Sequence, residues 1–89
     1  MTAKPIPTWH NFVAGQRVIL LIETRGATAD DDEVVYPAGS YGVIDATVDF
    51  GIYQGKGAHV IIGEGDRAIC NSFDDRDVKE IGLVPFRRV

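Results

Sequence analysis

Cysteine, basic clusters, long apolar runs and helical periodicity are all scarce in this chain of 89 residues, and each scarcity removes a class of function. No apolar run approaches the roughly 20 residues that span a bilayer, so no membrane role is expected. Cys70 is the single cysteine. It has no partner for an internal disulfide, and a multi-cysteine zinc site is excluded; among small apolar neighbours it reads as a buried small hydrophobe. Nine Lys and Arg stand against 13 Asp and Glu, a net charge of −4. The cations are dispersed, with Arg87-Arg88 the one adjacent pair. A nucleic acid would therefore meet more carboxylates than cations, and no basic stripe alternates with aromatics, so nucleic acid is not an expected partner. Met1 to Thr8 lacks the apolar centre of a secretory signal, which makes a cytoplasmic location the expectation.

What is present is an ordinary globular composition, 45% hydrophobic and 25% charged. At this length the chain forms one domain with one core and buries roughly 60 to 70% of its unfolded surface. Residues 1–13 read as an N-terminal arm. Lys4-Pro5-Ile6-Pro7 cannot supply consecutive amide donors, and Trp9 and Phe12 mark the edge of a domain that covers residues 14–89.

Within that domain the organising stretch is Tyr36 to Asp45. Pro37 sets φ for a turn, Gly39 or Ser40 takes the remaining turn angles, and Tyr41 opens a strand. Gly42 inside that strand marks a bulge, a bend or a second backbone passing close by. Before the turn, Gln16 to Thr24 carries the strongest strand signal. Val18, Leu20 and Ile22 share one face by the two-residue period, yet Ile19 and Leu21 on the other face are apolar too. Both faces are expected to be covered, the second by the Trp9/Phe12 arm or by another subunit.

Arg25 to Glu33 reads as a long exposed loop ending in the carboxylates Asp30, Asp31, Asp32 and Glu33, with Val34 to Tyr36 returning as a short strand. In the strand after the turn, Gly42, Ile44, Ala46 and Val48 form the expected core face, and Tyr41, Val43, Asp45 and Thr47 the other; Val18, Leu20, Ile22, Ile44, Val48, Val60 and Ile62 are expected to be buried together. Phe50 to Gly57 reads as an irregular, glycine-rich connection. Ala58 to Ile62 and Arg67 to Asn71 form a hairpin across Gly63-Glu64-Gly65-Asp66. Ser72 to Asp77 suits one helical turn, and a last strand lies within Val78 to Phe86, with Pro85 placing its end at a sheet edge.

The chain is thus read as all-β, a small five-stranded barrel with long loops and no substantial helix. Gly15-Gln16-Arg17-Val18 followed by Gly42-Val43-Ile44 resembles the G-x-R-V … G-x-V signature of small bacterial SH3-like barrels. Asn71-Ser72-Phe73 and Val78-Lys79-Glu80-Ile81 look like the closing segment of the photosystem I accessory subunit of this fold. The resemblance covers roughly residues 14 to 86, and its short motifs mark fold rather than function. Two further relatives, the plasmid-encoded trimethoprim-resistant dihydrofolate reductase and the nitrile hydratase β-subunit barrel, are similar in fold alone. The reductase's pore-lining Val-Gln-Ile-Tyr segment is missing, and the nearest permutation, Gly51-Ile52-Tyr53-Gln54, lies in a loop.

The contiguous carboxylates lack the alternating ligands and tight glycine turn of a calcium loop. His10 and His59 are far apart with no third ligand spaced to either, and no serine or Cys70 is placed beside a histidine and an oriented acid. No metal, cofactor or catalytic residue is therefore expected. The expected function is non-catalytic protein binding, in which Asp30, Asp31, Asp32 and Glu33 with Tyr36, Tyr41 and Tyr53 form a loop face for a partner segment carrying positive charge. The alternatives are a homo-oligomer joined through Trp9, Phe12, Ile19 and Leu21, or an oligomeric pore enzyme.

Overall fold

The computed structural model describes residues 4–74 and 83–85, and every regular element in it is a strand apart from one 3₁₀ turn. In chain order the strands are β1 (Lys4–Pro5), β2 (Arg17–Leu20), β3 (Thr24–Ala27), β4 (Glu33–Tyr36), β5 (Tyr41–Asp49), β6 (Lys56–Ile62), β7 (Ile69–Asp74) and β8 (Leu83–Pro85). The 3₁₀ turn, Gly65–Arg67, precedes β7. The all-β reading holds. Among the described residues no helix is long and apolar enough to cross a membrane.

The main sheet is antiparallel in the order β7-β6-β5-β2-β8, and β3 pairs only with β4 in a separate hairpin. β5 is the central strand because it is long enough to serve two partners on one side. Its first half pairs with β2, matching Arg17 to Val43 and Ile19 to Tyr41, and its far end pairs with β1, matching Lys4 to Asp49. β6 runs along its whole other side. Asp45 is an extra residue in that ladder, since Ile44 faces Val60 while Ala46 faces His59. This bulge resets the alternation. Thr47 is consequently buried and Ala46 only half-buried, where an unbroken two-residue period would have buried Ala46 and exposed Thr47; Val48 is buried as well, but outside the cluster that holds Ile44 and Val60. Gly42 fits its expected role, because a Cβ there would lie 3.0 Å from Val60 Cγ1 and 3.1 Å from the Ile61 carbonyl of the adjacent strand.

The apolar run Val18 to Ile22 is split rather than continuous. Val18 and Leu20 are buried, and Leu20 makes its last ladder bonds to Ser40 and Gly39 in the turn. Beyond Gly39 the partner strand has ended, so the chain bends away and leaves Leu21 and Ile22 exposed. Ile22 is therefore not a core residue. Val18, Leu20, Ile44, Val48, Val60 and Ile62 are all buried, as the sequence led one to expect. The expected irregular loop from Arg25 is strand as far as Ala27, and its far side is β4. This hairpin packs on β7, where the Asn71 side-chain amide donates to the Arg25 carbonyl at 3.1 Å and Val34 enters the core. Ser72 to Asp74, expected to start a helical turn, continues β7; the rest of that turn lies outside the described residues.

The segment read as an arm is woven into the same body. Ile6 exchanges backbone and side-chain hydrogen bonds with Thr47, and Trp9 and Phe12 face each other across a two-residue turn. His10 and Asn11 both take positive φ there, 48° and 66°, the primed-turn geometry that tight hairpins require. Trp9 and Phe12 are buried in one cluster with Val18, Leu20, Ile44 and Phe73. Their rings seal the core of a single chain and do not cover Leu21. The sheet is open between β7 and β8 among the described residues, rather than a closed five-stranded cylinder.

Candidate functional site

The outer face of the main sheet carries the residues that alternate with the core. Register aligns Arg17, Val43, Ile61 and Cys70 in one row across β2, β5, β6 and β7, and Ile19 with Tyr41 in the next. Tyr41, Val43 and Ile61 are 62%, 39% and 36% exposed. Three large apolar side chains presented together on one strand pair form a patch, where scattered single ones would need no explanation.

The patch is the floor of a groove of ≈ 620 Å³, with Tyr36 as one wall and Arg17 and Glu64 as its charged rim. That volume falls in the range of roughly 300 to 1,000 Å³ typical of ligand sites. Tyr36 is held rigidly. Its hydroxyl donates to the Arg67 carbonyl at 2.5 Å, and its ring lies over Gly63, whose φ of +84° and missing Cβ make the approach possible. The opening turn is fixed as well, since the Ser40 hydroxyl donates to the Pro37 carbonyl at 2.7 Å and Gly39 takes φ of +91°. Arg17 and Glu64 form no ion pair with each other or with any other described residue.

Of the expected binding residues, the structure brings Tyr36 and Tyr41 together and separates the others from them. Tyr53 sits on the loop after Asp49, at the opposite end of β5 from Tyr41, so about 26 Å of strand lies between the two ends. Asp30, Asp31 and Asp32 occupy the tip of the β3–β4 hairpin, outside the groove. The tip is built on buried Thr28: its backbone N–H donates to the Asp32 carbonyl, its carbonyl accepts from Asp31 N–H and its hydroxyl accepts from Asp32 N–H. Asp31 takes a φ of +67° to make that turn. Glu33 lies within β4, and Arg25 is 3.5 Å from its carboxylate, so its charge is partly offset. That pair is well exposed and contributes little to stability. Ile19 is half-buried and Leu21 exposed, while Trp9 and Phe12 are core residues.

Val43, Ile61, Arg17 and Glu64 are the groove residues that pattern reading did not single out. A signal was available in the strand that runs Val60-Ile61-Ile62, where apolar residues fall on both faces. Cys70, expected in the core, faces outward beside Ile61. Partial burial and then the nearby Asp45 carboxylate push its thiol pKa up, so it is a poorer nucleophile than an ordinary cysteine at neutral pH.

The same face brings Ser72 Oγ within 2.9 Å of His59 Nδ1. A serine and a base at that distance satisfy one condition for nucleophilic catalysis. The orienting acid is missing among the described residues: the ring's other contact is the edge of Phe50 at 5.5 Å, with no carboxylate bonded to Nε2. The chain matches no family model, no curated protein and no solved structure at a significant level.

Proposed function

We propose that this chain is a non-catalytic protein-interaction module, and that a segment of a partner protein docks in the groove floored by Tyr41, Val43 and Ile61. The observation that carries the reading is the exposure of those three side chains in a concavity whose wall, Tyr36, is immobilised at both its ring and its hydroxyl. An aromatic held in place gives up little entropy on binding, and displacing water from an apolar floor is favourable. The exposed carboxylates of Asp30, Asp31 and Asp32 lie on a chain of net charge −4 and attract a segment carrying positive charge, with an on-rate that falls as salt rises.

The proposed architecture is an SH3-like barrel. Supporting it are the order of the five sheet strands other than β1, the hairpin β3–β4 inserted after the first of them, and the glycine-led β5 that follows. A cytoplasmic setting belongs to the same proposal.

The test is selection of displayed peptides on the immobilised chain, in parallel with a Val43→Lys variant and a variant in which Asp30, Asp31 and Asp32 are changed to Asn. The expected result is enrichment of apolar, Lys- or Arg-bearing segments on the wild type, their loss on Val43→Lys, and slower association with the Asn variant at low salt. Equal enrichment on Val43→Lys would remove the groove from the proposal, and an unchanged on-rate for the Asn variant would remove the acidic tip.

A further inference from the structure

At the other end of β5 the chain carries a projection that is the reverse of the groove. Ile52 and Tyr53 are 89% and 93% exposed, the two most exposed large hydrophobic residues among those described. Their loop is not slack. Phe50 N–H donates to the Gly55 carbonyl at 2.9 Å, Gly55 N–H to the Gly51 carbonyl at 2.8 Å, and Gly51 N–H to Asp49 Oδ1 at 2.9 Å. Positive φ values at Gly51 and Gly55 close the turn. An apolar pair on a closed, hydrogen-bonded loop is preorganised to enter a pocket, with the ordering cost already met in folding.

We propose that the groove binds this loop from a second copy of the chain. The inference rests on the groove being a docking site and names its occupant. Three observations argue for it. The loop cannot reach the groove of its own chain, because Tyr41 and Asp49 lie at opposite ends of β5, about 26 Å apart. Its apolar residues match the groove in character, with Ile52 and Tyr53 meeting Tyr41, Val43 and Ile61. Its charges are complementary as well. The base of the loop carries Asp49 and Lys56 as cross-strand neighbours, and the groove rim carries Glu64 and Arg17. Lys56 meets Glu64 and Asp49 meets Arg17 when the loop enters. The rim charges are two strand spacings apart and Glu64 lies three residues beyond the Arg17 row, about 10–14 Å in all against one spacing at the loop base, and the long Lys56 and Arg17 side chains span the difference.

Loop and groove are different surfaces, so the contact is heterologous and each added copy presents a free loop or a free groove unless a ring closes. One loop in one groove is a small interface, so association is weak and depends on concentration.

The test is the solution mass of the full chain as a function of concentration, by sedimentation equilibrium, for the wild type, a loop variant (Tyr53→Asp) and two groove variants (Val43→Lys and Ile61→Lys). A melting curve for each confirms folding, and Tyr53 is too exposed for its loss to unfold the chain. The wild type is expected to rise above its 9.7 kDa monomer mass as concentration increases. Each variant alone is expected to associate at least tenfold more weakly. The decisive arm is an equimolar mixture of Tyr53→Asp with Val43→Lys: one supplies an intact groove and the other an intact loop, so the mixture is expected to form a dimer and stop there. A wild type that stays monomeric at its highest soluble concentration overturns the proposal. So does a mixture that stays monomeric while the wild type associates, since that result belongs to a self-complementary contact elsewhere. If the wild type is monomeric but Val43→Lys still abolishes capture of selected peptides, the groove binds foreign segments and only the self-pairing is wrong. If both effects are absent, the groove is not a docking site.

Discussion

Gly63→Ala probes the wall of the groove through the backbone that supports it. Gly63 has φ of +84°, where an L-residue pays about 1–2 kcal/mol for the left-handed conformation. A Cβ there would also lie 2.5 Å from Tyr36 Cζ and closer still to its hydroxyl. The ring can swing aside, but only by giving up the hydroxyl's bond to the Arg67 carbonyl, a net loss of about 0.5–1.5 kcal/mol. Together these make a destabilisation of about 2–3 kcal/mol, which lowers the melting temperature of a domain this size by about 10–20 °C. The assay is thermal and urea unfolding of Gly63→Ala, of Tyr36→Ala and of the double variant. With the ring gone, Gly63→Ala should cost only the backbone term, so the two changes are expected to couple by about 1 kcal/mol. Additivity within about 0.3 kcal/mol would show that the ring does not rest on Gly63, and the account of a fixed groove wall would fall with it.

Other expectations follow from single contacts. Leu20→Ala should cost about 2–5 kcal/mol, whereas Ile22→Thr, two residues along the same apolar run, should stay within about 0.5 kcal/mol; similar costs in urea unfolding would contradict the bend after Leu20. Cys70 alkylation by iodoacetamide should be slower at pH 8 than that of an unperturbed thiol and should keep rising with pH after such a thiol has levelled off, because burial and Asp45 both disfavour the thiolate. Asp45→Asn should move that profile to lower pH, and an unmoved profile would exclude the carboxylate as a cause. Thr47→Val should cost about 1 kcal/mol by removing the hydroxyl that donates to the Ile6 carbonyl, and should raise proteolysis near β1; unchanged cleavage would show that this bond does not hold the N-terminal segment.

Where side-chain period, turn residues and local apolar content settle the matter, the sequence by itself determined the answer: an all-β chain, the Pro37–Gly39 turn feeding β5, the β6–β7 hairpin with positive φ at Gly63 and Gly65, and six of the apolar residues that fill the core. These are local consequences of backbone sterics and the two-residue repeat. Tertiary structure alone decided where strands end and which faces meet. Leu21 and Ile22 look like a continuation of β2, and only the end of the β5 partner at Tyr41 turns them out to solvent. Asp45 looks like an ordinary alternating residue, and only the ladder with β6 shows it as the extra one that shifts Thr47 inward. Trp9 and Phe12 read as the edge of an arm because proline-rich sequence shows no ladder partner, while the distant β5 supplies one. Three tyrosines near loops looked like one face, but strand length put Tyr53 at the far end from Tyr36 and Tyr41. The groove residues Arg17, Val43, Ile61 and Glu64 come from three segments far apart in the chain, joined by cross-strand register, which pattern along one strand does not encode.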